Sequence, residues 1–206
     1  ILRTYNSQGL LDGDNNDNWR IGLYKRVYNL TLTVNTANST ITRVDGDSSE
    51  SVYTYNTSLG KYVNADGAGA YDTLEFNAGN WTWTDGTSRI QEKYDGASGR
   101  ITTSLDPDGN AFTYSYNASG LITRVTDSSG LQTTDLVYDG SNLRQITVTS
   151  NGQVSIRTGY TYDTSNRLKD VTTDLSPGDA STADGKTYAY SYNRILSDLF
   201  LAEGLK

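Results

Sequence analysis

The residues best placed to do chemistry in this chain are oxygen-bearing and aromatic. Asp12-Gly13-Asp14-Asn15-Asn16-Asp17 alternates side-chain oxygens in the way a Ca²⁺ loop does. A helix–loop–helix calcium site needs Gly at its sixth position and Glu at its twelfth; those places hold Asp17 and Leu23, and a solvated turn is the plainer reading. Trp81 and Trp83 stand two apart on one strand face; buried core aromatics are the plainer reading, and a platform that stacks, with neighbouring tyrosines, on sugar rings is the alternative. Aspartates are numerous enough to hide a glycosidase pair, but nearly all fall in turns, where Asp bonds its own backbone. The four glutamates (Glu50, Glu75, Glu92 and Glu203) form no recognisable constellation. There is no histidine and no cysteine, so the commonest general base, thiolate ligands and disulfides are all excluded. Ser and Thr are plentiful, yet no Lys or carboxylate is spaced to activate one. These residues lead to no catalytic group, no metal and no cofactor.

The elements that would position such residues form a repeat. An aromatic, then Asp or Asn, a short polar turn, then Arg or Leu with an aliphatic recurs as Tyr94-Asp95-Gly96-Ala97-Ser98-Gly99-Arg100-Ile101, Tyr116-Asn117-Ala118-Ser119-Gly120-Leu121-Ile122, Tyr138-Asp139-Gly140-Ser141-Asn142-Leu143 and Tyr162-Asp163-Thr164-Ser165-Asn166-Arg167-Leu168. From Tyr94 to Tyr116 and from there to Tyr138 the step is 22 residues, then 24 to Tyr162 and 30 to Tyr192. A fixed period of this size means one supersecondary unit copied along the chain. The stretch before each turn alternates, as in Phe112-Thr113-Tyr114-Ser115-Tyr116, which predicts a strand with one buried aromatic face. On the returning arm the aliphatics stand three apart (Ile122/Val125, Leu143/Ile146, Leu168/Val171), so a bulge is expected to turn both inward. Second turns follow at Asp106-Pro107-Asp108-Gly109, Asp127-Ser128-Ser129-Gly130 and Ser150-Asn151-Gly152, giving two strands and two turns per unit.

The tyrosine–aspartate phrase, its step and the Asp-Pro-Asp-Gly turn resemble the YD-repeat, or RHS-repeat, family. The stretch before them is similar to the segment that opens such shells, with Tyr5-Asn6-Ser7, Trp19 and Asn80-Trp81-Thr82-Trp83-Thr84-Asp85-Gly86 in the family's order. The turn before Trp19 departs from the pattern in lacking glycine, and Tyr192 is followed by Asn193-Arg194-Ile195-Leu196 instead of the usual turn. The resemblance implies part of a hollow β shell in a secreted or cell-surface bacterial protein, of a kind that encloses a toxin polypeptide or presents surfaces for cell contact.

The expected architecture is therefore all-β: antiparallel hairpins in a meander forming a curved, spiralling repeat sheet, a partial shell. It is expected as one continuous domain over 1–206, with an N-terminal hairpin segment (1–93), YD-type repeats (94–193) and a tail (194–206). Leu30–Val34 and Thr40–Val44 read as strands, as do Val52–Tyr55, Lys61–Val63, Tyr71–Phe76 and Trp81–Thr84; 66–70 reads as a loop. Ile195–Leu201 suits a short amphipathic helix or a last edge strand. Core-facing positions are Tyr94, Tyr116, Tyr138, Tyr162, Tyr192, Ile101, Ile122, Leu143 and Leu168, together with Phe112, Tyr114, Tyr160, Tyr188 and Tyr190. A net charge of −7 without a Lys/Arg run argues against nucleic acid, and no apolar run is long enough for a membrane helix. Three functions fit: a non-catalytic structural module, a carbohydrate-binding or adhesion module, and a subunit of an extracellular assembly. Partners are then a protein or a second copy joined at open sheet edges near Ile1–Tyr5 and Tyr188–Tyr192, or a glycan.

Overall fold

Alternation with closely spaced turn residues leaves the chain little choice but hairpins. The computed structural model describes residues 3–5, 15, 17–64, 71–179, 181, 183–192 and 199–202, and among these there is no helix. The loop expected at 66–70 lies outside the described residues. By contacts the chain forms two compact units, 1–2 with 21–114 and 3–20 with 115–206.

Two short strands, β1 (Arg3–Tyr5) and β2 (Trp19–Ile21), pair with each other. The first unit then runs through β3 (Arg26–Tyr28), β4 (Thr40–Val44), β5 (Glu50–Asn56), β6 (Lys61–Val63), β7 (Thr73–Asn77), β8 (Asn80–Thr84), β9 (Gln91–Asp95), β10 (Ile101–Leu105) and β11 (Ala111–Tyr116). The second holds β12 (Ile122–Asp127), β13 (Gln132–Asp139), β14 (Asn142–Ser150), β15 (Gln153–Tyr162), β16 (Leu168–Thr173), β17 (Lys186–Tyr192) and β18 (Leu199–Ala202). Within each unit, from β3 to β11 and from β12 to β18, each strand pairs antiparallel with the next, so the ladder order is the chain order.

In the first unit Val27, Ile41, Tyr53, Tyr62, Leu74, Trp81, Trp83, Tyr94 and Ile101 form one buried cluster. Trp81 and Trp83 are 3% and 7% exposed, which bears out their reading as core aromatics and rules out the sugar platform: the period of two turns both indoles inward. Trp81 meets Tyr62 and Phe76 at ring-centroid distances of 5.1 and 4.8 Å, and Trp83 Nε1 donates to Tyr53 Oη at 2.9 Å. The first Tyr-Asp turn reaches back to β3. Val27 N donates to Gly99 O at 2.8 Å, and a Cβ on Gly99 would lie 2.0 Å from Val27 O, so only glycine permits the approach.

The bulges expected after Leu143 and Leu168 are present, and a further one follows Ile101. Register shifts leave Thr102, Arg144 and Lys169 unmatched opposite β9, β13 and β15. Each follows a fully buried aliphatic (Ile101, Leu143 or Leu168), and the extra residue rotates the next aliphatic inward, as at Leu143 and Ile146.

Several expectations are corrected. Leu30–Val34 is not a strand: Asn29, Leu32 and Asn35 have φ of 54°, 59° and 60°, and left-handed residues at every third position break an extended run despite the alternating pattern. Tyr71 precedes β7 and is exposed. Phe112 and Tyr188 are 47% and 44% exposed instead of core-facing; both lie toward the hairpin-tip ends of their strands, which run past the aliphatic layer. Leu199–Ala202 is a strand, not a helix, and pairs with β17 from Tyr192↔Leu199 to Ala189↔Ala202, which covers the edge expected to be open at Tyr188–Tyr192. The edge expected at Ile1–Tyr5 is likewise paired where it is described, through β1 and β2.

Replacing Trp81 by Ala should cost about 3–5 kcal/mol, the usual range for a buried aromatic. Urea unfolding measures it, and an unchanged midpoint would contradict the burial.

Candidate functional site

A repeat protein works at the joints between its repeats, and in the second unit each joint is made by a tyrosine hydroxyl. Tyr138 Oη donates to Ile122 O at 2.9 Å, Tyr162 Oη to Leu143 O at 2.9 Å, and Tyr192 Oη to Leu168 O at 2.6 Å. The acceptors are the aliphatic positions of the preceding repeat. A bulge disturbs the ladder beside Leu143 and Leu168, and a backbone carbonyl there needs a partner from outside the ladder. The phenol supplies it, and the ring fills the space over the aliphatic. Ile122, Leu143 and Leu168 are fully buried, while Tyr116, Tyr138, Tyr162 and Tyr192 are half-buried; Tyr94, in the first unit, is fully buried.

After Tyr94, Tyr116 and Tyr162 the next residue closes the turn. Asp95 Oδ1 accepts from Ser98 N and Ser98 Oγ at 2.7 Å, Asn117 Oδ1 from Leu121 N at 3.0 Å, and Asp163 Oδ1 from Ser165 N and Arg167 N at 2.8 and 3.0 Å. The Ser98 bonds hold the Asp95 carboxyl below the usual carboxylate range. Burial works against the Asp163 charge, but its bonds from Arg167 still leave its pKa lowered.

Sequence reasoning missed what the N-terminal segment does. Arg3 Nη1 donates to Tyr162 Oη at 3.0 Å, and its guanidinium lies 5.1 Å from the centre of the Tyr160 ring. Trp19 Nε1 donates to Tyr192 Oη at 3.1 Å, and its indole meets the Tyr190 ring edge-on at 5.0 Å. The hydroxyls of Tyr162 and Tyr192 are thus donor to one repeat and acceptor from the segment. Asp17, expected in a solvated turn, is buried and accepts from Trp19 N at 2.9 Å and Leu168 N at 3.1 Å; residues 12–14 and 16 of that loop lie outside the described residues. Only the recurrence of Trp19 in the opening pattern hinted at a role.

Glu92 was missed as well. It shares the inward face of β9 with Tyr94, two residues on, and a strict period of two would have placed it inside. Glu92 Oε2 accepts from Arg43 Nη2 at 2.6 Å and Nε at 3.1 Å and from the Tyr94 hydroxyl, while Glu92 Oε1 lies 2.5 Å from Lys25 Nζ. Asp45 joins Lys25 at 3.2 Å and Arg43 at 3.1 Å, and the Arg43 guanidinium sits 3.9 Å from the Trp83 ring centre. Burial opposes the charge on Arg43, yet Tyr94, Glu92 and Asp45 around it keep its pKa above the usual value. Burial, with Glu92 beside it, pushes the Tyr94 hydroxyl well up despite Arg43. For Asp45, burial is outweighed by Arg43 and Lys25, and its pKa falls to about 2. Two cations and two carboxylates therefore neutralise one another under the aromatic cluster. Among the described residues no group of three or more carboxylates is placed to hold a metal ion, and no helix is long and apolar enough to cross a membrane.

An antiparallel meander whose tyrosines bond one repeat back defines a β-repeat module. Residues 94–132, spanning the first two Tyr-Asp/Asn phrases, match the family model of the RHS Repeat. Among solved structures, a chain of the crystal structure of TcdB2-TccC3-Cdc42 is similar to 88% of this chain at 19% identity, with a TM-score of 0.41. The present chain spans 9% of that chain's length. No curated protein matches.

Tyr162→Phe should remove both hydroxyl bonds while keeping the ring, lowering stability by about 1–3 kcal/mol and leaving the β signal by circular dichroism intact. An unmoved melting temperature would show that the joint does not depend on the hydroxyl. The lowered carboxyls predict an acid transition. Their folded pKa values lie below the unfolded value of about 4, so the stabilisation is complete above that pH and is lost as pH falls through the folded values toward about 2. Urea midpoints should hold from neutral pH to near the unfolded value and drop below it; a flat profile down to pH ~2 would refute this contribution.

Proposed function

We propose that this chain is a non-catalytic structural module, a stretch of the β wall of a secreted or cell-surface bacterial RHS-repeat protein. The observation that supports the reading most directly is the hydroxyl–carbonyl bond of Tyr138, Tyr162 and Tyr192 to the previous repeat. Side chains that enzymes use for proton transfer are here engaged in holding turns and joints: Asp95 and Asp163 close turns, and Glu92 is neutralised by Arg43 and Lys25. In a longer shell such a wall encloses a polypeptide cargo. One unit cannot bury its apolar face alone, and each repeat leans on its neighbour.

A second reading, membership of an extracellular assembly, is favoured by the position of β18 at the end of its ladder. A terminal strand offers backbone donors and acceptors to a further strand, from a protein partner or a second copy.

The test takes the chain as it stands. Incubated with polysaccharide, peptide and ester panels it should give no turnover, and sedimentation should distinguish an isolated wall from a self-assembling one. Turnover abolished by Glu92→Gln or by a single Asp→Asn change would overturn the structural reading.

A further inference from the structure

In the first unit β3 is paired on both sides. Besides its ladder with β4, Val27 N donates to Gly99 O at 2.8 Å, Ile101 N donates to Lys25 O at 3.3 Å, and Arg26 stands opposite Arg100 in an antiparallel bridge. The first Tyr-Asp turn thus closes a seam against β3. The alternating pattern that runs on to Val34 would lengthen this seam, but left-handed Asn29 turns the chain away directly after Tyr28. Leu32, at φ 59°, is a further outlier for a bulky residue. Strain of this kind persists only where its surroundings hold it, and it gathers at binding sites.

Where the seam stops, a slot opens. Its floor is Val27, Ile41 and Trp81, none more than 3% exposed. Arg26, Tyr28 and Leu30 form one wall and the turn at 96–99 the other, all within the first unit. Its volume of about 240 Å³ is smaller than sites for whole drug-sized molecules and suits one residue-sized group.

The charges around the slot select what enters. Arg26 and Arg100 face each other, and like charges directly opposite repel. Asp95 draws on the Arg100 charge. For Arg26, among the described residues, Nε is buried without a hydrogen-bond partner, and the guanidinium lies 5.5 Å from the centre of the Tyr28 ring. A buried donor left unpaired calls for an acceptor, and a guanidinium fork matches a carboxylate. Glu50 accepts from the Tyr28 hydroxyl at 2.9 Å, so a negative charge already stands behind that wall and disfavours a multiply charged anion such as phosphate. One carboxylate on a compact apolar group satisfies both demands, with its charge on Arg26 and its side chain over Ile41 and Trp81. Leu30, 42% exposed at the mouth, leaves room for a longer chain to depart across it. We propose that this slot captures the C-terminal residue of a partner polypeptide ending in an aliphatic side chain such as leucine. The site is additional to the structural role and does not depend on it.

N-acetyl-leucine, its neutral amide and sodium acetate, each titrated into the ¹⁵N-labelled full chain, test the proposal by amide shifts. N-acetyl-leucine should move the amides of Tyr28, Leu30, Ala97 and Ser98, with the neutral amide and acetate each binding about tenfold more weakly. A four-residue peptide ending in leucine should bind at least as tightly as N-acetyl-leucine, and its C-terminally amidated form should not. Arg26→Gln should bring the acid down to the level of the amide, while the melting temperature holds or rises because the arginine repulsion is gone. Leu30→Asp, at an exposed position, should abolish binding by setting a negative charge at the mouth. No shift at these amides, equal binding of acid and amide, or undiminished binding by folded Arg26→Gln or Leu30→Asp would each overturn the assignment. Binding of N-acetyl-leucine without the peptide would overturn the polypeptide as occupant.

Discussion

A phenol oxygen donates one hydrogen bond and accepts others, and the second unit depends on that property. Bulges let two aliphatics three residues apart face inward, but a bulge disturbs the ladder, and a buried carbonyl without a partner would be costly. Tyrosine answers both demands in one side chain, ring over the aliphatic and hydroxyl on its carbonyl. Phenylalanine offers only the first. This accounts for a chain with 16 tyrosines and three phenylalanines, and for a repeat defined by tyrosine spacing more than by general hydrophobicity.

The first unit solves a different problem. Its core is aromatic, yet it holds Arg43 and Glu92 nearly out of water. Removing either partner alone would strand a charge, so the network constrains which strands lie together more than it adds stability. Arg43 comes from β4 and Glu92 from β9, and their pairing is satisfied only when both strands present the right face.

Much of this was legible in the sequence. Alternation gave the strands, turn residues gave the hairpins, and the three-residue aliphatic spacing announced the bulges at Arg144 and Lys169, though not the one at Thr102, where Ser104 stands in the aliphatic's place. Local pattern misled where backbone conformation decided: Leu30–Val34 alternates like a strand but is bent by left-handed residues. It also misled where strand length decided, since Phe112 and Tyr188 keep the pattern beyond the layer that could cover them. Glu92 was hidden by its charge, though its position relative to Tyr94 placed it inside. The contacts of Arg3, Asp17 and Trp19 could not be read, because the residues they meet lie more than a hundred positions away and no local periodicity encodes that distance.

That distance has a consequence in time. Hairpins that pair in chain order close small loops and form as soon as two adjacent strands exist, so the ladder can grow stepwise as the chain emerges during synthesis. Trp19 is different: its hydrogen-bond partner Tyr192 is 173 residues downstream. Until Tyr162 and Tyr192 are made, the Arg3 side chain and the indole respectively lack the surface on which they finally rest. A segment synthesised before these repeats is therefore settled after them, and its arrival closes a unit whose other strands are already in place.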